Sequence, residues 1–135
     1  MKPRFPSDLH VLAASLVLAL LAAASPTAAQ TAATGAVIKM MDTFEFDPSA
    51  VTIHAGEAVE WHNASRFKHT VTADPKLGGA VLPAGAQPFA SSELLPGGSF
   101  RQVFAVPGKY RYFCTPHEGI GMTGTVTVLP NEPKS

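Results

Sequence analysis

The sequence predicts an all-β domain, a two-sheet Greek-key β-sandwich of about seven or eight strands. Three observations carry that expectation. From Val37 onward the chain is a series of short apolar runs punctuated by turn residues, as in antiparallel strands joined by tight connections. No window after the N-terminal segment spaces its apolar residues at a helical period. About a hundred residues remain for one core, and two packed sheets are the natural way to bury it.

The N-terminal segment is set apart first. Lys2 and Arg4 form a basic start, and Val11 to Ala24 runs fourteen residues with only Ser15 polar. A bilayer span needs about 20 apolar residues, and Thr27-Ala28-Ala29 fits a signal-peptidase site ahead of Gln30. Residues 1–29 are therefore expected to be a signal peptide and the mature protein to be periplasmic. No cysteine follows the apolar run, which argues against a lipid anchor. There is no Arg-Arg pair, which favours export unfolded and metal loading outside the cytoplasm. Of 135 residues, 106 remain, with eight basic and nine acidic side chains and a formal charge of −1. Nothing in that balance calls for nucleic acid or a polybasic membrane contact. A monomer without stable membrane insertion is expected.

Residues 30–36 are small and polar and read as a flexible lead-in, with the domain spanning 37–130 and a tail at 131–135. In "VTIHAGEAVEW" Val51 and Ile53 alternate before an Ala-Gly turn, then Val59 and Trp61. "SFRQVFAVPGKYRYFC" alternates through Phe100, Gln102 and Phe104, turns at Pro107-Gly108, and sets Tyr110, Tyr112 and Cys114 on one face. "GTVTVL" places Gly124, Val126 and Val128 on one side. Trp61, Phe44, Phe46 and Phe104 read as core, and Met40, Met41, His54 and His62 as residues without a site role. The connection 74–99 is too long for a turn, and loops beyond about 12–15 residues are functional or disordered. Its Leu82, Phe89, Leu94 and Leu95 favour an ordered loop packed on one end of the sandwich.

The chemistry gathers at "YFCTPHEGIGM", which holds the one cysteine. A free thiol in an oxidising compartment must be buried or occupied. Cys114 ends a strand facing inward, and His117 and Met122 lie on the loop that follows. His69 opens the strand "HTVTAD" and is placed to join them at one end of the sandwich, whereas His54 and His62 look like surface positions. Two imidazoles, a thiolate and a thioether discriminate among metals. Zinc sites rarely take methionine, and iron–sulfur clusters and attached haem need more cysteines. A Cys/His nucleophile lacks an orienting acid and leaves Met122 idle. A His₂Cys plane with a long axial Met is the blue-copper arrangement.

"YFCTPHEGIGMTGTVTV" resembles the copper loop and last strand of plastocyanin and pseudoazurin, with the same C-x-x-H-x-x-x-x-M spacing. "FEFDPSAVTIHAGEAVEWHNASRFKHTVT" resembles the first half of small bacterial cupredoxin domains. The resemblance covers about residues 37–129 and implies a type 1 site holding one copper on His69, Cys114, His117 and Met122. It implies an electron carrier with no open catalytic position, serving a transient redox partner such as a cytochrome or an oxidoreductase. Electrons would pass the edge of His117 through an apolar patch of Pro116, Gly119, Ile120 and Gly121, with Leu82-Pro83 beside it. The alternative is a periplasmic copper-delivery protein using the same residues. Thr70 stands where plastocyanins commonly have Asn, and the loop 74–99 does not match plastocyanin closely.

Overall fold

Residues 31–131 are described in this computed structural model; the expected signal peptide at 1–29 and the last four residues of the expected tail lie outside them. Nine strands form among the described residues: β1 (Thr34–Met40), β2 (Phe46–Asp47), β3 (Ala50–His54), β4 (Ala58–Asn63), β5 (Thr72–Ala73), β6 (Phe89–Ala90), β7 (Ser99–Val103), β8 (Gly108–Phe113) and β9 (Thr123–Leu129). A 3-10 helix, Thr115–Ile120, separates β8 from β9. The strands make two sheets ordered β2-β1-β4-β7 and β3-β9-β8-β5-β6, the expected Greek-key sandwich. The sheets are mixed, not wholly antiparallel: β1 runs parallel to β4, and β3 parallel to β9. Between β1 and β4 the chain visits the other sheet as β3, so it returns in the same direction.

Period-2 alternation fills the space between the sheets. Ile38 and Met40 of β1, Val59 and Trp61 of β4, Tyr110 and Tyr112 of β8, and Val126 and Val128 of β9 are buried together. Each such side chain contributes about 1.5–3 kcal/mol by leaving water. Trp61 and Tyr112 meet edge-on with ring centroids 5.3 Å apart, and Phe46 meets Tyr112 at 4.7 Å. Gly124 faces Tyr112 in the β8–β9 register, and a methyl group there would overlap the phenol.

Four expectations are corrected. The lead-in is shorter than expected, because β1 begins at Thr34 and pairs with Ala58. Gly35 sits in a register shift of that pairing, so close to the side chains of Glu57 and Ile53 that a Cβ there would have to displace them. The long connection 74–99 does not merely cap an end. Val81 exchanges both main-chain bonds with Arg111, and Leu94 does the same with His69. The short β5 pairs with β8 only at Phe113, so main-chain groups of β8 beyond it and of His69 need partners, and Val81 and Leu94 supply them. Leu94 is buried within it but Leu95 is 60 % exposed. Phe44 is not core: it lies half-buried against His117 at one end of the sandwich, in a turn closed by Phe44 N–H to Met41 O. Pro83 packs on Gly108 at the start of β8, about 20 Å of strand from Cys114, so Leu82-Pro83 does not border the site.

Candidate metal centre

The segment after β8 is wound, not a loose loop. Cys114 has extended backbone, and Pro116 falls in the first turn of the 3-10 helix, where its fixed φ suits the helix and its missing N–H costs nothing. Gly121 ends the helix at φ 92, a conformation that favours glycine. His117 N–H donates to Cys114 O at 3.0 Å, and Cys114 N–H donates to Met122 O at 3.0 Å. Met122 N–H in turn donates to His117 O at 3.2 Å. The three residues that sequence spacing singled out are thus tied to one another by their own backbone.

Cys114 and Met122 are fully buried, as is His69, while His117 reaches the rim. Cys114 Sγ lies 3.3 Å from His117 Nδ1 and 3.6 Å from His69 Nδ1. The three donor atoms all fall within 4.8 Å of one another. A sulfur and a nitrogen bound to one ion at about 2.3 and 2.0 Å stand about 3.3–3.7 Å apart at ordinary coordination angles. The observed separations have that size, so the donors fit a single ion. The sulfur-and-imidazole set, with buried Met122 beside it, is the set that suits copper.

Burial sets the protonation of this cluster. It lowers the pKa of His69, with the nearby His117 acting in the same direction and Asp42 opposing. It raises the Cys114 thiol, against hydrogen bonds from Thr70 and His117 that favour the thiolate.

Of the residues that hold this cluster in place, sequence reasoning marked Thr70 and missed Ser65, Asn63 and Asp42 and the parts played by Leu94, Phe44 and Phe67. Leu94 of the long loop accepts the His69 N–H at 3.2 Å and donates to His69 O at 2.8 Å. Ser65 Oγ lies 2.8 Å from His69 Nε2, and Asn63 binds Ser65. Thr70 gives its N–H to Cys114 Sγ at 3.3 Å. At the rim Phe44 lies on His117, ring centroids 4.6 Å apart, and on Phe67 at 5.0 Å. Asp42 fastens the two turns that carry these rings, accepting from Arg66 N–H at 2.8 Å and from its guanidinium at 3.2 Å. The i, i+2 spacing of Asn63 and Ser65 is the one sequence signal that marks part of this set, since Asn side chains cap their own turns.

The β-sandwich and its buried thiol–imidazole cluster define a small mononuclear copper-binding protein. Residues 32–129 match the family of copper binding proteins described as the plastocyanin/azurin family, and the chain belongs to it. It is 44 % identical over 87 residues to a plastocyanin of Scenedesmus fuscus, covering 62 % of this chain and 85 % of that one. It is 33 % identical over 128 residues to a plastocyanin of a Synechococcus strain, covering 89 % and 91 %. Among solved structures, a mutant fern plastocyanin superposes with a TM-score of 0.56 at 28 % identity, over 69 % of this chain and 99 % of that one.

Proposed function

We propose that this chain is an exported type 1 copper protein that carries single electrons between redox proteins, with His69, Cys114, His117 and Met122 as the ligands. The observation that carries the proposal is the separation of Cys114 Sγ from two imidazole Nδ1 atoms, 3.3 and 3.6 Å, in a buried site. Copper, when bound, supplies a one-electron couple whose two states prefer different geometries.

The chain's own part is to hold one compromise geometry. His69 is pinned by Leu94, and Cys114, His117 and Met122 are pinned to each other, so little has to move when charge changes. Buried Met122 and the Phe44 ring keep water from the donors. His117 is the one ligand at the rim, and its ring edge is the route for the electron. Four protein ligands leave no position for a substrate, which supports a carrier and not an enzyme. We place the mature protein in the periplasm on the composition of residues 1–29. No helix among the described residues is long and apolar enough to cross a membrane.

The copper(II)-loaded protein is expected to be intensely blue and to give reversible voltammetry, with Cys114→Ser folded but colourless. A Ser variant that stays blue removes Cys114 from the ligand set. Rapid transfer of copper to an acceptor protein, without reversible voltammetry, would replace electron carriage with copper delivery.

A further inference from the structure

Resting on the ligand set above, we infer that Ser65 is a positioning residue: its hydroxyl holds His69 in the one tautomer that turns a bare Nδ1 lone pair toward Cys114. The protons of this buried network can be assigned one by one. Asn63 is 2 % exposed and Ser65 6 %, so bulk water is not available to take either end of a bond.

The assignment starts at two carbonyl oxygens, which can only accept. One amide atom of Asn63 lies 2.7 Å from Phe67 O and 2.8 Å from Leu94 O. That atom must be the NH₂ group, so the amide orientation is settled and Oδ1 is the atom facing Ser65. Oδ1 accepts Ser65 N–H at 3.0 Å and stands 2.8 Å from Ser65 Oγ. Two oxygens at that separation need a proton between them, and an amide oxygen has none. The single hydroxyl proton of Ser65 is therefore spent on an acceptor-only oxygen: Asn63 Oδ1 at 2.8 Å takes it, Phe67 O standing farther off at 3.2 Å, and neither choice leaves a proton for His69. Ser65 Oγ keeps two lone pairs. One accepts Phe67 N–H at 3.1 Å, and the other faces His69 Nε2 at 2.8 Å. Nε2 must then carry the proton, and a neutral imidazole protonated at Nε2 is bare at Nδ1. Nδ1 is the atom 3.6 Å from Cys114 Sγ.

The other tautomer is disfavoured at both ends. It would strip the proton from between Ser65 Oγ and Asn63 Oδ1, and it would put an N–H where the ligand lone pair belongs. A hydrogen bond from the far ring nitrogen also strengthens the near one as a donor, and losing such a partner costs 10–100-fold in metal affinity in typical sites. Ser65 is thus more than turn filler, and its effect reaches the metal side of the ring.

The test is long-range proton–nitrogen NMR on protein labelled with ¹⁵N-histidine, metal-free and copper(I)-loaded, for wild type, Ser65→Ala and Ser65→Thr. Metal-free wild type is expected to show His69 as the Nε2–H tautomer with a slowly exchanging ring proton. Ser65→Ala should speed that exchange at least about tenfold, weaken copper(I) binding about tenfold and raise the reduction potential, since a poorer nitrogen donor holds copper(II) less well. Ser65→Thr, which keeps the hydroxyl, should restore all three. An Nδ1–H tautomer in metal-free wild type would overturn the inference, whether or not the alanine variant folds. So would an alanine variant with wild-type exchange and affinity. If the wild-type tautomer is as assigned but the protein takes up no copper, Ser65 keeps its role and the proposed function fails instead.

Discussion

Thr70 binds Cys114 and the chain just beyond it at once: its N–H points at Cys114 Sγ from 3.3 Å, and its Oγ1 accepts Thr115 N–H at 2.8 Å. A second hydroxyl pair, Thr72 to Thr115 at 3.0 Å, lies alongside. Thr70 therefore braces the start of the loop after Cys114 through its hydroxyl and its own N–H. Thr70→Val keeps the shape and loses the acceptor, leaving Thr115 N–H without a partner. The variant should lose about 1–3 kcal/mol in denaturant unfolding while still binding copper. Unchanged stability would show that water takes over the N–H.

Protons must leave when copper enters. Burial raises the Cys114 thiol, so in the metal-free protein that thiol keeps its proton near pH 7, and a thiolate bound to copper would have lost it. Copper(II) affinity should therefore rise about tenfold per pH unit below the thiol pKa, read by competition with a chelator. A flat profile would mean that the thiol is already ionised.

The same two shifts shape the stability of the metal-free protein. His69 has a lowered pKa, so the unfolded chain takes up a proton that the folded chain resists, and stability falls as pH drops below about 6.5. Cys114 is raised, so the unfolded chain releases its proton first, and stability also falls above about 8.5. Urea midpoints across this range should pass through a maximum between those limits. A midpoint still rising below pH 6 would contradict the buried neutral His69.

Among the described residues the buried hydroxyl of Tyr112 and the buried indole N–H of Trp61 both lack a well-formed hydrogen bond, and burial pushes the Tyr112 pKa well up, only partly offset by the Trp61 N–H. An unsatisfied buried hydroxyl costs about 1–3 kcal/mol, so Tyr112→Phe should stabilise the protein by about 1 kcal/mol. Gly124→Ala should cost about 1–3 kcal/mol, because its methyl collides with the phenol, and should cost less in the Tyr112→Phe background. Chemical denaturation of the four proteins completes the cycle. A destabilised Tyr112→Phe would reveal a water bound to the hydroxyl.

The docking face should be apolar and insensitive to salt. Ile120 is 68 % exposed in the turn that carries His117, and Phe67 is 40 % exposed. The neighbouring charges are engaged locally: Arg66 with Asp42, Lys68 with Glu93, and Glu118 with the N–H of Gly79. Steering needs an unpaired patch of one sign, so stopped-flow rates with the physiological partner should change little with ionic strength. Ile120→Lys and Ile120→Asp should both slow transfer with copper content and colour intact. Normal rates in both variants would move the docking face elsewhere.

Much of this protein was legible in its residues alone. Alternation at period 2 marked β4, β8 and β9, because a strand that faces a core must repeat every second residue. The spacing of Cys114, His117 and Met122 marked the site, because ligands on one short turn are neighbours in sequence as well as in space. His69, at the head of its own strand, could be read into the site as well, but Leu94, Ser65 and Phe44 come to it from other segments, and no local pattern tells that they meet it. Only the folded chain decided that Leu94 pins His69, that Ser65 receives its ring proton and that Phe44 leaves the core to cover His117. These relations depend on register between strands and on which main-chain groups remain unpaired, and both are settled only when the two sheets close on one another.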